Sequence, residues 1–386
     1  MSLDAETLVQ FLDMLDRFVK ERLIPNEDRV AEDDAIPPAL VQEIRDMGLF
    51  GLSIPEEFGG IGLTMAEEVQ AAFVLGQTSP AFRSLVGTNN GIGSQGIVID
   101  GTSEQKTAYL PLLATGELIA SFALTEPEAG SDAGSLRTSA RKDGDHYILN
   151  GTKRYITNAP RAGLFTVFAR TDPMSKNSAG VTAFLVEANT PGLSLGPIDR
   201  KMGQKGSHTC DVILEDCRVP ENAIIGGPAR LGMGFKTAMK VLDRGRLHIS
   251  AVCTGAAERL ISDSLRYAMD RKQFGEPIAE KQLIQAMLAD SRTEAFAARC
   301  MIEETARRKD ASQNVSTEAA CCKMYASEMV GRVADRAVQI HGGAGYITDY
   351  GVERFYRDVR LFRIYEGTTQ IQQLVIARGM IKAASQ

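Results

Sequence analysis

Glu366 stands in the run Tyr365-Glu366-Gly367-Thr368-Thr369-Gln370-Ile371-Gln372, one glycine ahead of a helix start at which Thr369 and Gln372 have capping-box spacing. A carboxylate there is either an acid stabilised by the helix dipole or a base aimed into a cleft. Far upstream, Phe122-Ala123-Leu124-Thr125-Glu126-Pro127-Glu128-Ala129-Gly130-Ser131-Asp132 leaves a strand-like run and enters a loop of hydroxyls, a glycine and backbone amides. Such a loop hydrogen-bonds a heterocycle edge or a phosphate, or simply forms a capped turn. Tyr155-Ile156-Thr157-Asn158 puts an aromatic ring and a hydroxyl on one face of a strand by period two. Two later segments look built for backbone approach to phosphate. Arg271-Lys272-Gln273-Phe274-Gly275 is a basic, glycine-ended turn. Gln339-Ile340-His341-Gly342-Gly343-Ala344-Gly345-Tyr346 sets glycines after a helix, where no Cβ obstructs an anion.

Composition narrows the chemistry. Across 386 residues the chain is 44% hydrophobic and 24% charged, which is globular and excludes a disordered or collagen-like protein. The net charge of −6 is spread in mixed signs with no basic block, so neither nucleic acid nor an anionic membrane is expected as a partner. No apolar run approaches the roughly 20 residues that span a bilayer. Met1–Gln10 carries no basic segment followed by an apolar block, and a cytoplasmic location is expected. The cysteines (Cys210, Cys217, Cys253, Cys300, Cys321, Cys322) form no Cys-x-x-Cys pair and read as reduced, mostly buried thiols. The histidines (His146, His208, His248, His341) lie far apart, without metal-ligand spacing, so no metal is expected.

The elements that must position these residues fall into three zones. From Leu3 to Leu118 the pattern is helical: Leu8, Leu12, Leu15 and Phe18/Val19 keep a 3.6-residue spacing, and Pro37-Pro38 opens a helix over Ala39–Met47 closed by Gly48. Further helices are expected over Met65–Leu75, Phe82–Asp100 and Ser103–Leu113. From Ile119 to Asn222 the pattern is that of strands, with hairpin turns expected at Asp143-Gly144 and Asn150-Gly151. After Gly234 it is helical again, and Ala326, Val330, Val333, Ala337 and Ile340 mark the seam of packed helices. The expectation is an α+β chain: an N-terminal helical domain over 1–118, a middle antiparallel β-barrel domain over 119–228 and a C-terminal four-helix bundle over 229–386.

Together these segments resemble the acyl-CoA dehydrogenase family, over essentially the whole chain and in the family's order. The resemblance implies FAD as cofactor. Thr125, Ser131, Tyr155 and Thr157 would contact the flavin, with Phe122, Leu124 and Ile156 beside it. Arg271, Gln273, Phe274, Gln282, Gln339, Gly342 and Gly343 would grip the pyrophosphate and adenosine of an FAD held by a neighbouring subunit of a homotetramer. Thr368 and Gln370 would also face FAD. On the substrate side the resemblance implies Ser131, Asp243, Arg246 and Gly367, with Asp243 equally readable as a helix-surface ion-pair partner.

The implied reaction is α,β-dehydrogenation of an acyl-CoA to a trans-2-enoyl-CoA in fatty acid or amino acid catabolism. Glu366 takes the α-proton while a hydride leaves the β-carbon for the flavin, and electrons pass on to an electron-transferring flavoprotein. Some branches place the base on the first bundle helix instead, but that stretch reads Asp243-Arg244-Gly245-Arg246, and Gly245 has no carboxylate. Family members usually carry tryptophan where this chain has Tyr155, and the chain has none. Two other readings stay open: a flavin oxidase or monooxygenase on the same fold, and a non-catalytic scaffold. Finally, Phe82-Arg83-Ser84 resembles the glutaryl-CoA branch, where an arginine meets a distal carboxylate. Arg83 could read a polar acyl tail, alongside a small, polar face of Gly87, Asn90/Gly91 and Ser94, or pair with a neighbouring acid.

Overall fold

The computed structural model describes residues 3–175 and 178–385. Its first region carries α1 (Ala5–Phe18), α2 (Glu27–Asp33), α3 (Pro38–Asp46), α4 (Met65–Leu75), α5 (Pro80–Gly87), α6 (Gln95–Asp100) and α7 (Ser103–Thr115). Local chemistry sets these ends. Asp4 caps α1 by accepting the Thr7 N–H, and Phe11, Leu15 and Phe18 form its buried stripe. Thr64 and Glu67 form a reciprocal capping box at the start of α4, so that helix begins and ends where the sequence pattern puts it.

The continuous helix expected over Phe82–Asp100 does not form. A widened π-type turn, Thr88–Gly93, separates α5 from α6. The asparagines there are fully buried and serve backbone groups elsewhere: Asn89 Nδ2 donates to the carbonyls of Phe50 and Leu113, and Asn90 Nδ2 to those of Leu49 and Val86. Ser94 Oγ donates to the Asn90 carbonyl. Asn90 and Ser94 are therefore occupied as structural residues, and a widened turn is the local distortion that lets them be.

The middle region is one sheet of β1 (Ala120–Ala123), β2 (Ser139–Asp143), β3 (His146–Thr157), β4 (Leu164–Arg170), β5 (Val181–Glu187), β6 (Leu193–Leu195) and β7 (Thr209–Pro220). Its path runs β1-β4-β2-β3-β7-β6, with β5 paired to β4. Most pairs are antiparallel, as expected, but β1 and β2 both pair with β4 in parallel. The β2–β3 hairpin forms, with Gly144 and Asp145 as its turn residues and Asp143 paired to His146, one position on from the expected Asp143-Gly144. Asn150-Gly151 does not turn the chain: β3 runs straight through it with a shift of register against β7. Asn150 there exchanges hydrogen bonds with Asp216 across the strands, and a Cβ on Gly151 would lie 2.5 Å from Thr138 Oγ1. The glycine serves a bulge under close approach, not a hairpin.

The last region holds α8 (Gly234–Asp270), a small hairpin of β8 (Lys272–Gln273) and β9 (Glu276–Pro277), α9 (Gln282–Asp310), α10 (Ser316–His341), α11 (Val352–Val359) and α12 (Thr369–Ala384). Helices α8, α9, α10 and α12 form the bundle. Its core is rich in alanine (Ala251, Ala256, Ala295, Ala298, Ala326, Ala334), small side chains that let helices approach closely. Met65, Val69 and Phe73 of α4 join the same core, so the first region is docked on the bundle. The middle region is tied in by Asp358 of α11, which accepts the Gln204 N–H. No helix among the described residues is long and apolar enough to cross a membrane.

Candidate active site

Glu366 lies between α11 and α12 with φ +54, followed by Gly367 at φ +88. A non-glycine residue in the left-handed region is uncommon and persists where its surroundings over-determine it. Three hydrogen bonds do so here. Lys323 Nζ, from α10, donates to the Gly367 carbonyl at 2.7 Å, and Gln372 Nε2 donates to the carbonyls of Glu366 and Gly367, each at 3.0 Å. The cap of α12 falls on Thr368, whose Oγ1 accepts the Ile371 N–H, one residue earlier than the expected Thr369. That frees Gln372 to hold the Glu366 turn.

The Glu366 carboxylate is buried. Oε1 is 3.7 Å from Arg83 Nη2, and Oε2 has no hydrogen-bond partner among the described residues. A Cβ on Gly245 would lie 2.7 Å from Oε2. The glycine at 245 thus leaves room for this carboxylate.

Glu366 opens onto a cavity of about 510 Å³. Phe122 of β1 and Leu124, Thr125 and Ser131 from the loop after it line the cavity, as do Tyr155, Ile156 and Thr157 from the end of β3. Arg83, Arg246 and Gly367 complete the set of expected residues brought together here. Tyr155 reaches the cavity because β3 bulges between Lys153 and Ile156, which puts Tyr155 at φ +59 and leaves it 58% exposed. The Arg154 guanidinium lies 4.9 Å from its ring centroid and is anchored on Asp211.

A buried ion pair stiffens the loop after β1. Lys153 Nζ bonds Glu126 Oε1 at 2.7 Å, and Glu126 also accepts the N–H groups of Arg137 and Thr138. Burial pushes the Lys153 ammonium down to about 8 against the attraction of Glu126. Burial alone would raise Glu126, but Lys153 and the Arg137 N–H hold it below the ordinary range.

Other expected residues stand elsewhere. Arg271, Gln273 and Phe274 ride the β8–β9 turn, Gln282 begins α9, Gln339 lies in the last turn of α10, and Gly342 and Gly343 follow that helix. All are exposed, Phe274 to 94%, and none lines the cavity of its own chain. Thr368 and Gln370 flank the start of α12 without lining the cavity. Asp243 is occupied by Arg246 Nη1 and Ser316 Oγ, each at 2.6 Å.

Lys323 was not among the expected site residues. It is fully buried, and burial pushes its ammonium down to about 8, opposed by Cys253 and Glu366. The signal was a lysine on the inward face of α10, three residues from Ala320 and from Ala326. The paired Glu68 and His248, from α4 and α8, carried no such signal.

The Glu366 carboxylate faces a cavity between a hydroxyl-rich loop off a central sheet and a helical bundle, so the site is built across three regions. The family models agree: the N-terminal, middle and C-terminal domain models of acyl-CoA dehydrogenase match residues 5–117, 121–217 and 232–381. The chain is 42% identical to an acryloyl-CoA reductase (NADH) of Anaerotignum propionicum, over 95% of this chain and 92% of that one. It is 40% identical to the CarC subunit of the caffeyl-CoA reductase-Etf complex of Acetobacterium woodii, over 92% and 93% of the two chains. Among solved structures, a glutaryl-CoA dehydrogenase of Mycobacterium smegmatis in complex with FADH2 matches with a TM-score of 0.91 and 30% identity, covering 98% and 95%. The chain belongs to the acyl-CoA dehydrogenase family, and it is an oxidoreductase.

Proposed function

We propose that the protein is an FAD-dependent acyl-CoA dehydrogenase that forms a trans-2-enoyl-CoA, with Glu366 removing the α-proton. The observation that carries this reading is the buried, unpartnered Oε2 of Glu366, held at the cavity by a turn that Lys323 and Gln372 fix. The residues present suit the flavin: the loop and strand end supply hydroxyls at Thr125, Ser131 and Thr157 beside apolar Leu124 and Ile156. Bound FAD supplies the two-electron acceptor. The protein's part is to orient the thioester, exclude water and move the proton. The bound acyl chain excludes water from the carboxylate, and the Glu366 backbone N–H, by family resemblance, faces the thioester oxygen.

Arg83 supports a narrower reading. Its guanidinium borders both the Glu366 carboxylate, its ion-pair partner, and the cavity. A short acyl chain ending in a carboxylate would find paired donors there. The exposed Arg271, Gln339 and Gly342 fit an FAD site completed by a second subunit, hence a homotetramer, with domain limits near 118 and 228. The Etf-complex relative supports an electron-transferring flavoprotein as redox partner.

The test is anaerobic titration of the yellow holoprotein with butyryl-CoA and glutaryl-CoA, followed by exposure to an electron-transferring flavoprotein or to air. Bleaching by a thioester, with reoxidation by the flavoprotein far faster than by air, is expected. Bleaching followed by rapid reoxidation in air would make the protein an oxidase, and a colourless protein that no thioester changes would make it a scaffold.

A further inference from the structure

Two segments without regular structure meet at one side chain of the middle region. Arg170, the last residue of β4, is half-buried beside the Ser139–Arg170 pairing of β2 with β4, and its backbone N–H donates to the Thr138 carbonyl at 2.7 Å. Its guanidinium Nη2 donates to the Gly134 carbonyl at 2.9 Å and its Nε to the Leu136 carbonyl at 3.3 Å, both in the loop after β1. Its Nη1 donates to the Ala179 carbonyl at 3.0 Å and the Ser175 carbonyl at 3.2 Å, both between β4 and β5. Carbonyls only accept, and a guanidinium presents five donors in a fixed plane, so one side chain serves oxygens on both segments at once.

Both segments border the acyl cavity. Ser131, Asp132, Ala133 and Gly134 of the first and Ser178 of the second line it. Ser131 and Asp132 are exposed while the Glu366 carboxylate is buried, so the cavity meets solvent along this stretch. Glu126 already holds the return of the first loop through the Arg137 and Thr138 N–H groups. A second hollow of about 490 Å³ lies between the same segments, lined by Leu136 and Arg137 of one and Pro173 and Ser175 of the other. Packing leaves them apart there, and the Arg170 hydrogen bonds join them.

We propose that Arg170 is a positioning residue for the CoA arm of the substrate: by tying these two segments together it fixes the rim across which that arm enters. The proposal rests on the acyl-CoA reading given above. The cavity, about 510 Å³, has to take the flavin ring as well as the acyl end, so the long nucleotide arm runs out across the rim. An arginine that merely stabilised the sheet would be felt by every substrate alike. One that sets the rim is felt by a substrate that has the arm.

The test compares butyryl-CoA with the butyryl thioester of N-acetylcysteamine, which has the same acyl end and no nucleotide arm, on the flavin-loaded parent, Arg170→Met and Arg170→Lys. The ratio of kcat/KM for butyryl-CoA to that for the short thioester should fall at least about tenfold in Arg170→Met, with the loss on butyryl-CoA falling on KM rather than kcat. Arg170→Lys keeps the charge but offers its three donors from a single nitrogen. It should show the same selective loss to a smaller extent, and it guards against an Arg170→Met chain that does not fold. Equal losses on the two thioesters, or an unchanged ratio, would overturn the proposal. Independently, coenzyme A added to the parent should slow amide hydrogen exchange in the peptides that carry Gly134 and Ala179, and no slowing in either would overturn it even if neither variant folds. A parent that turns over neither thioester would end the acyl-CoA reading, and the exchange measurement would still decide whether this rim takes a CoA arm.

Discussion

Replacing Lys323 with methionine should leave the fold standing and remove most of the turnover. Burial shifts this ammonium from 10.5 to about 8, and at about 1.4 kcal/mol per pKa unit the charged form costs about 3 kcal/mol at neutral pH. Methionine removes that cost. It also removes a charge-assisted hydrogen bond to the Gly367 carbonyl, worth about 1.5–3 kcal/mol. The two nearly cancel, so the stability of Lys323→Met at pH 7 should lie within about 2 kcal/mol of the parent. Catalysis has no such offset. Glu366 keeps its left-handed φ with Gln372 alone to hold the turn, and a misplacement on the order of 1 Å costs roughly a hundredfold in rate. The sign of the pH dependence is fixed as well. A lysine whose folded pKa is depressed binds fewer protons folded than unfolded between about 8 and 10.5, so the parent gains stability over the variant as pH rises through that window. Urea denaturation from pH 7 to 10 and stopped-flow flavin bleaching measure both effects. Turnover within threefold of the parent, with a stability loss above about 4 kcal/mol, would make Lys323 a purely structural residue and refute the reasoning.

Three further outcomes are expected. Arg83→Met should cost glutaryl-CoA about 2–3 kcal/mol more in kcat/KM than butyryl-CoA, the scale of a lost charged hydrogen bond, and equal losses would remove Arg83 from tail recognition. Arg271→Ala should loosen FAD and the tetramer together, as read by flavin retention during size-exclusion chromatography; a monomer that keeps FAD as tightly as the parent would contradict the shared site. Burial raises the Asp358 carboxyl from 3.8 to about 6, so the parent forfeits about 3 kcal/mol as pH rises through that window. Asp358→Asn should therefore be the more stable protein at pH 7 and lose its advantage below pH ~4, as thermal unfolding at the two pH values would show.

Much of the fold was legible because its signals are local. Helix α4 was readable to the residue, since Thr64 and Glu67 fix its start by bonds four positions wide. The break inside Phe82–Asp100 was not, because Asn89 and Asn90 spend their side chains on carbonyls of Leu49, Phe50 and Leu113, distant in sequence. Asn150-Gly151 has hairpin chemistry, yet pairing along β7 decides otherwise. In the site, motif order brought out Glu366, Thr125, Ser131, Tyr155 and Thr157, which line one cavity. Glu68 and His248 stayed hidden because a buried polar pair is defined by its tertiary partners, which no spacing along the chain records, and Lys323 showed only as a lysine on the inward face of α10.

The most direct test of the central claim is single-turnover flavin bleaching by Glu366→Gln under anaerobic conditions. Glutamine preserves size and most hydrogen bonding but cannot take the α-proton. The variant should remain yellow and tetrameric and should bind acyl-CoA, with bleaching slower by at least about a hundredfold, the scale of general-base catalysis. Bleaching at a rate near that of the parent would show that Glu366 is not the base.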